Sequence, residues 1–432
     1  MNPGLVVKLR PVGPWRIGPD TGARNRVDTI FHSDTLYAAV TSAMARLGSL
    51  EDWLNATARN GAPAVSFSSC FPFLDEIGFV VPPRTVWPPT APALMGARVR
   101  WKSARFVPLG IVQALLAGQS LEESHWSVDG PSECLVPAGR PGPFRTGLRW
   151  NAAVDRLTGS AERHSTACIE FRAGSGLWTV VAFADEPARA RWMEPVKAAF
   201  RELADSGLGG ERSRGWGRAD TPEFLEGTLP DMILGAPQPP AEVEAAPLVI
   251  APREEPMETP IELAPAQDAV PEPEPEPTPE AVAAPEPEVA LEPPAVEIPE
   301  DPPVVPPPLE TAAVTDAPEI APLVVPVAPK PAPPTKPNGP TAHWMLSLFT
   351  PAATDAIDWT RGNYTLLARA GRVESPAGSG ELKKTLPMVA EGSVVYAAGM
   401  PRGSAPDVAP DGFAHPVFRS GFAVAIPLPE VS

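Results

Sequence analysis

Between Ala236 and Pro340 the chain runs for 105 residues that hold 32 of its 61 prolines and no Phe, Trp or Tyr. Proline removes backbone donors and there is no aromatic area to bury, so nothing offsets the entropy of ordering this stretch. With runs such as Pro271-Glu272-Pro273-Glu274-Pro275-Glu276 it reads as a disordered or polyproline-like linker. The chain is thereby divided into a folded region 1–235, the linker 236–340, and a second folded region 341–432.

A second feature lies directly after a strong helix pattern. Gly207-Leu208-Gly209-Gly210-Glu211-Arg212-Ser213-Arg214-Gly215-Trp216-Gly217-Arg218 threads five glycines with three arginines and one tryptophan. Glycine lets backbone amides approach a sugar-phosphate chain, arginine neutralises phosphate, and tryptophan offers a face for a base. The loop lacks the Lys-Ser/Thr of a mononucleotide loop, and Arg212 stands where a dinucleotide fingerprint needs its third glycine. It is read as a nucleic-acid cradle made of Gly209, Gly210, Arg212, Ser213, Arg214 and Trp216, with Arg212 and Arg214 on one side of an extended turn. A flexible turn is the plainer reading, and Trp216 serves equally well packed into a sheet.

The formal charge of −17 does not contradict a polyanionic partner. The linker carries 20 acidic and three basic residues (Arg253, Lys330, Lys336), which leaves 32 acidic and 32 basic residues elsewhere. Local sign then matters, and Arg140 to Arg172 holds six arginines against Asp155, Glu162 and Glu170. The linker's charge would keep it solvated away from a bound polynucleotide, with mimicry of RNA as the alternative. Cys70, Cys134 and Cys168 form no Cys-x-x-Cys pair, so neither a zinc site nor a disulfide framework is expected, and no cofactor. No apolar run of 18 residues and no signal-like start occurs, so the expectation is a cytoplasmic protein without membrane contact.

Leu5 to Leu9 alternates as an opening strand, and Ser33 caps a helix running to Leu47 with Gly48 as its stop. Ala64 to Cys70 and Ala97 to Val107 read as strands, Pro131 to Ser175 as a long thumb-like insertion, and Trp178 to Ala184 as a buried strand. Asp185 with Pro187 then opens a helix whose Trp192, Val196, Phe200 and Leu203 share a face, ended by Gly207. The order fits βαββαβ, a ferredoxin-like α+β sandwich with an extended hairpin. After the linker, strands are read at Trp344 to Phe349, Tyr364 to Ala368, Ser393 to Ala397 and Phe422 to Ile426.

In order along the chain stand His32-Ser33-Asp34-Thr35-Leu36, Ser69-Cys70-Phe71-Pro72-Phe73, Asp155-Arg156-Leu157-Thr158-Gly159 and the glycine loop. Gly362-Asn363-Tyr364, Leu382-Lys383-Lys384, Glu391-Gly392-Ser393 and His415-Pro416-Val417-Phe418-Arg419-Ser420-Gly421 follow. Together these resemble the RAMP superfamily of CRISPR proteins, most closely the fourth Csm subunit of type III-A interference complexes. The resemblance covers nearly everything but the linker. It implies two ferredoxin-like (RRM-like) RAMP domains, a non-catalytic subunit holding the 5′ handle of the CRISPR RNA (crRNA), and docking to the large polymerase/cyclase-like signalling subunit and to the backbone RAMP subunit.

Arg145, Arg149 and Arg156 are candidate RNA contacts in the thumb, where Asp155-Arg156 also suits a plain hairpin turn. Lys383, Lys384, His415 and Arg419 are further candidates in the second region, or ordinary solvated charges. Some RAMP relatives cut precursor crRNA without metal, and His32, Tyr37 and Arg212 would be the residues for that chemistry. A scaffold without RNA contact and the handle-binding subunit of a type III-B complex also stay open at the level of sequence.

Overall fold

A computed structural model describes residues 2–19, 22–89, 101–235, 339–375 and 378–429. Except for its last two residues, the expected linker lies outside the described residues. The regions on either side of it pack as one compact unit.

In the first region the elements are β1 (Asn2–Leu9), α1 (Ser33–Arg46), α2 (Leu50–Ala56), β2 (Val65–Phe67), β3 (Phe71–Leu74), β4 (Ile77–Val80), β5 (Val107–Pro108) and α3 (Leu109–Leu116). Then come β6 (Trp126–Asp129), β7 (Cys134–Pro137), β8 (Phe144–Val154), β9 (Ala161–Phe171), β10 (Ser175–Phe183), α4 (Glu186–Ser206), β11 (Glu223–Leu229) and α5 (Asp231–Leu234). Strands pair in the order β11-β1-β10-β3-β4-β5, with β2 also against β10. Every pairing is antiparallel, Leu5 facing Val181 on one side of β1 and Glu226 on the other.

The sandwich forms because α1 and α4 each carry one apolar stripe. Leu36, Tyr37, Val40 and Met44 of α1, and Trp192, Val196, Phe200 and Leu203 of α4, are all buried. Their rings interlock: Trp53 meets Trp192 edge to face at 5.4 Å and Tyr37 in a stack at 5.8 Å, and Phe67 meets Phe200 at 6.2 Å. Asp185 caps α4 as the sequence predicts, its carboxylate accepting from Ala188 N at 2.8 Å.

Two sequence readings are corrected. Ser33 is not the cap of α1 but its first helical residue, after His32. Its N–H donates to Ser69 Oγ at 2.9 Å and its hydroxyl accepts from Leu348 N at 3.0 Å, so it ties α1 to the second region. The strand expected at Ala97 to Val107 shrinks to β5; residues 97–100 lie outside the described residues. Trp101 instead sits beside a turn, stacked on Trp87 with centroids 5.8 Å apart.

The second region supplies β12 (Thr341–Met345), β13 (Ile357–Asn363), β14 (Leu366–Arg369), β15 (Arg372–Ser375), β16 (Gly378–Leu382), β17 (Leu386–Val389), β18 (Val394–Ala397), β19 (Gly403–Ser404), β20 (Gly421–Phe422) and β21 (Ala425–Pro427). The main sheet here is β13-β18-β12-β21, with short two-stranded ladders around it. Phe422 to Ile426 is therefore two strand pieces rather than one. The apolar core is continuous with that of the first region: Trp344, Leu346, Val394, Phe422, Val424 and Ile426 belong to the same buried cluster as β1 and α1. Trp344 donates to Val81 O at 3.1 Å, and Phe422 packs edge to face on Tyr37 at 5.6 Å.

Candidate nucleic-acid interface

The glycine loop does not stand alone. It is stitched to the segment after β1 by Gly210 N to Arg16 O (2.8 Å), Gly217 N to Pro14 O (3.0 Å) and Val12 N to Arg218 O (3.1 Å). The other edge of that segment bonds the hairpin strand β9, with Trp15 N to Ile169 O at 3.0 Å and Ile169 N to Trp15 O at 2.7 Å. Residues 10–17 thus join the loop to the root of the β8-β9 hairpin. A hollow of about 560 Å³ between Pro11–Pro14 and the hairpin is lined by Arg145, Arg149, Glu170 and Arg172. Arg145 and Arg149 thus face the same segment that bonds the glycine loop.

Several glycines serve packing rather than ligand approach. Gly209 (φ +83°) would place a Cβ 2.3 Å from Arg16 O, and Gly217 (φ +80°) would place one 2.0 Å from Leu208 O. The N–H groups of Leu208, Gly210 and Gly217 are spent on protein carbonyls. Gly217→Ala is expected to cost roughly 1–3 kcal/mol from backbone strain, more if the loop detaches, read as a lowered midpoint in urea unfolding. An unchanged midpoint would contradict the packing role.

Arg212 to Arg214 form a single 3₁₀ turn, not an extended one, because Glu211 enters it in the left-handed region (φ 61°). The two arginines consequently diverge. Arg212 reaches Glu374 in the second region at 3.0 Å, while Arg214 folds back on Glu211 at 2.8 Å. Ser213 is exposed, and Gly209, Gly210 and Trp216 are half-buried.

In the hairpin, Glu170 bridges Arg145 (2.9 Å) and Arg149 (2.5 Å). The plain turn is present at the tip: Asp155 accepts from Leu157 N at 2.8 Å, which holds its carboxyl below the usual range, and Arg156 is exposed beside it. Arg163 lies over the Trp150 ring at 5.2 Å. Arg172 and Arg218, not among the expected contacts, are exposed and have no carboxylate within ion-pair distance among the described residues. In the sequence, Arg218 closes the glycine motif and Arg172 the arginine-rich stretch.

The remaining candidates lie elsewhere. His415 is exposed, with its ring Nε2 2.7 Å from Ser375 Oγ. Lys384 pairs with Asp411 at 2.7 Å. Lys383 is half-buried with no acidic partner among the described residues. Arg419 is buried and commits its guanidinium to Asp34 Oδ2 (2.8 Å) and the Ala370 carbonyl (2.8 Å). Arg369 joins it on Asp34 through Nε at 3.1 Å and Nη2 at 3.0 Å.

His32 belongs to the same buried junction. Its Nδ1 is 2.7 Å from Glu391 Oε1 and its Nε2 3.1 Å from Asp28 Oδ2, while Ser69 Oγ also donates to Glu391. Arg105 supports Asp28 at 3.2 Å. Burial works against every charge here. The Asp34 carboxyl nevertheless lies below its ordinary range because Arg369 and Arg419 grip it, and that of Glu391 because His32 and Ser69 do. Tyr37 is likewise enclosed, hydrogen-bonded to Thr57 at 2.7 Å, and burial raises its hydroxyl to about 12. His32 and Tyr37 thus sit in the interior while Arg212 is ion-paired on the surface. Among the described residues no cluster of His, Cys, Asp and Glu is arranged to hold a metal ion. No helix there is long and apolar enough to cross a membrane.

Residues 339–428 match the family model of the CRISPR Csm4 C-terminal domain. A chain in the solved Csm3-Csm4 subcomplex of the type III-A CRISPR-Cas interference complex shares the fold at TM-score 0.51 and 11% identity, over 98% of this chain and 99% of that one. A chain of a solved Csm1-Csm4 cassette in complex with cA4 aligns at TM-score 0.46 and 14% identity, over 99% of this chain and 98% of that one. No curated protein matches. The structural likeness extends over the whole mixed α/β fold, while the family match lies in the second region. The likeness to Csm4 is carried in sequence by residues 339–428, 90 of the 432 in the chain.

Proposed function

We propose that this chain is a non-catalytic, cytoplasmic RNA-binding subunit that holds the 5′ handle of crRNA on the surface shared by the glycine loop and the hairpin root. The observation that carries this reading is that Arg145, Arg149 and Arg172 line a hollow against Pro11–Pro14, while the same segment bonds Arg218 and the residue after the half-buried Trp216. Cations for phosphate beside a ring for an unstacked base suit single-stranded RNA. The β11-β1-β10-β2/β3 order, with α1 after β1 and α4 after β10, supports a ferredoxin-like first domain. By analogy with the Csm3-Csm4 subcomplex, one partner is the backbone RAMP subunit. By the likeness of residues 339–428 to the Csm4 C-terminal domain, the second is the large signalling subunit. The C-terminal match favours type III-A over the equivalent type III-B subunit.

The test is fluorescence anisotropy with a repeat-derived oligoribonucleotide between about 50 and 200 mM salt. The double variant Arg145→Ala/Arg149→Ala is expected to weaken binding and to flatten the log-log salt slope by about 1.4, since each phosphate neutralised on a single strand contributes about 0.7. An unchanged slope removes both from the interface. Cleavage of the RNA, abolished in His32→Ala, would replace the binding reading with an enzymatic one.

A further inference from the structure

Alternate residues of β8 share one face, and Arg145, Gly147 and Arg149 follow one another along it. β9 sets Glu170 directly across from Arg145 and Cys168 across from Gly147. Four steps of strand hold the backbones of the two arginines about 13 Å apart, yet one carboxylate joins their side chains. Glu170 Oε2 accepts from Arg145 Nε at 3.0 Å and lies 2.9 Å from its Nη2, while Oε1 lies 2.5 Å from Arg149 Nη2. Gly147 makes room for this reach. A Cβ there would stand 3.3 Å from the Glu170 carboxyl carbon, so the carboxylate lies over a position with no side chain to lift it.

All three side chains line the hollow of about 560 Å³ against Pro11–Pro14. Arg145 and Arg149 keep 66% and 55% of their side-chain surface exposed, against 20% for Glu170. Ion pairs of arginines this exposed contribute little to folding, so the bridge opens at small cost. Carboxylate and phosphate are matched by the same planar fork of arginine donors, and each therefore competes for it. A phosphate approaching either guanidinium meets the Glu170 carboxylate already there, and the two anions repel. We propose, on the RNA reading above, that Glu170 is an internal counterion of that site: it holds Arg145 and Arg149 in the free chain and is displaced by backbone phosphates when RNA binds. Phosphate contacts carry no sequence information, so this cost falls on every RNA. A strand held there by phosphates alone is penalised, and one with further contacts elsewhere on the chain overcomes the penalty.

The experiment measures fluorescence anisotropy of the full chain at about 100 mM salt with two probes of equal length, the repeat-derived oligoribonucleotide and oligouridylate. Glu170→Gln, which keeps the shape and removes the charge, is expected to bind both probes about three- to tenfold more tightly than the parent. Loss of folding does not produce a gain of affinity. In the Arg145→Ala/Arg149→Ala background the same substitution should change nothing, because the groups it unmasks are gone. Glu170→Asp still stands opposite Arg145 but is one methylene short of Arg149, and should show part of the gain. If Glu170→Gln does not fold, the absence of any gain in Glu170→Asp overturns the counterion. Unchanged or weaker binding in Glu170→Gln, with binding still weakened in Arg145→Ala/Arg149→Ala, also overturns it and leaves the RNA reading standing, Glu170 then only steadying the arginines. An equal gain in the double-alanine background assigns the effect to net charge, and a gain confined to the repeat-derived probe assigns it to a base; each overturns the displacement by phosphate. Failure of the parent chain to bind either probe overturns the counterion and the RNA reading together.

Discussion

Asp34→Ala is expected to destabilise the folded chain by about 3–5 kcal/mol, the usual cost of removing one partner from a buried ion cluster. The Asp34 carboxylate, 4% exposed, accepts from Arg369 through two nitrogens and from Arg419 through a third. Both arginines are themselves buried. Without Asp34, two guanidinium groups remain in the interior with one fewer anion, and water can reach them only by opening the contact between α1 and the second region. Because the apolar core is continuous across that contact, loss of the cluster should lower the whole unfolding transition rather than release one region. Urea unfolding followed by tryptophan fluorescence measures this, since Trp53 and Trp344 lie in the first and second regions. Asp34→Asn, which keeps the shape and removes the charge, should recover little. A variant within 1 kcal/mol of the parent would show that the arginines find other anions or solvent, at odds with a site this enclosed.

The same junction shows how far the sequence could be read. The helices were legible, because Leu36, Val40 and Met44, like Trp192, Val196 and Phe200, repeat at helical spacing and one buried face enforces that period. The long insertion was legible as a hairpin flanked by turn residues. What His32-Ser33-Asp34 does was not. Read locally, it is a cap before an amphipathic helix; in the fold its partners are Glu391, Leu348, Arg369 and Arg419, more than 300 residues onward. Local periodicity carries no information about such pairings, and Arg369 in particular had no signal beyond being a charge directly after the strand read at Tyr364 to Ala368. The glycine loop was legible as a special backbone but not as a packed one. The carbonyls that exclude a Cβ at Gly209 and Gly217 include Arg16 O, which belongs to a segment nearly 200 residues earlier. Arg419 illustrates the reverse case, a cation that looked like an RNA contact until its carboxylate partner came from the other region.

His32 gives the junction a pH signature of definite sign. Burial opposes its charged form, and so does Arg369, but the Glu391 carboxylate and the bonds to Asp28 and Glu391 outweigh them and raise the imidazole to about 9. An unfolded histidine titrates near 6.5. A group raised on folding contributes its full stabilisation below the unfolded value and loses it as pH rises through the folded one, so stability should fall progressively between about pH 6.5 and 9. At about 1.4 kcal/mol for each pH unit separating the two values, the whole effect is about 3 kcal/mol. The carboxyls of Asp28, Asp34 and Glu391 are lowered, so their contribution is present above the unfolded carboxylate range and fails only as pH drops below it, outside this window. Buried Cys70 and Cys134, whose thiols burial pushes up, also resist ionisation that the unfolded chain allows, so the parent's slope is not due to His32 alone. The difference between the parent and His32→Gln removes their share. At pH 6.5 the variant should be the less stable by about 3 kcal/mol, because Asp28 and Glu391 lose the cation between them, and the gap should close towards pH 9. A gap that stays constant across that range would mean that the folded junction releases no proton between pH 6.5 and 9, with the imidazole neutral throughout beside an ionised Glu391.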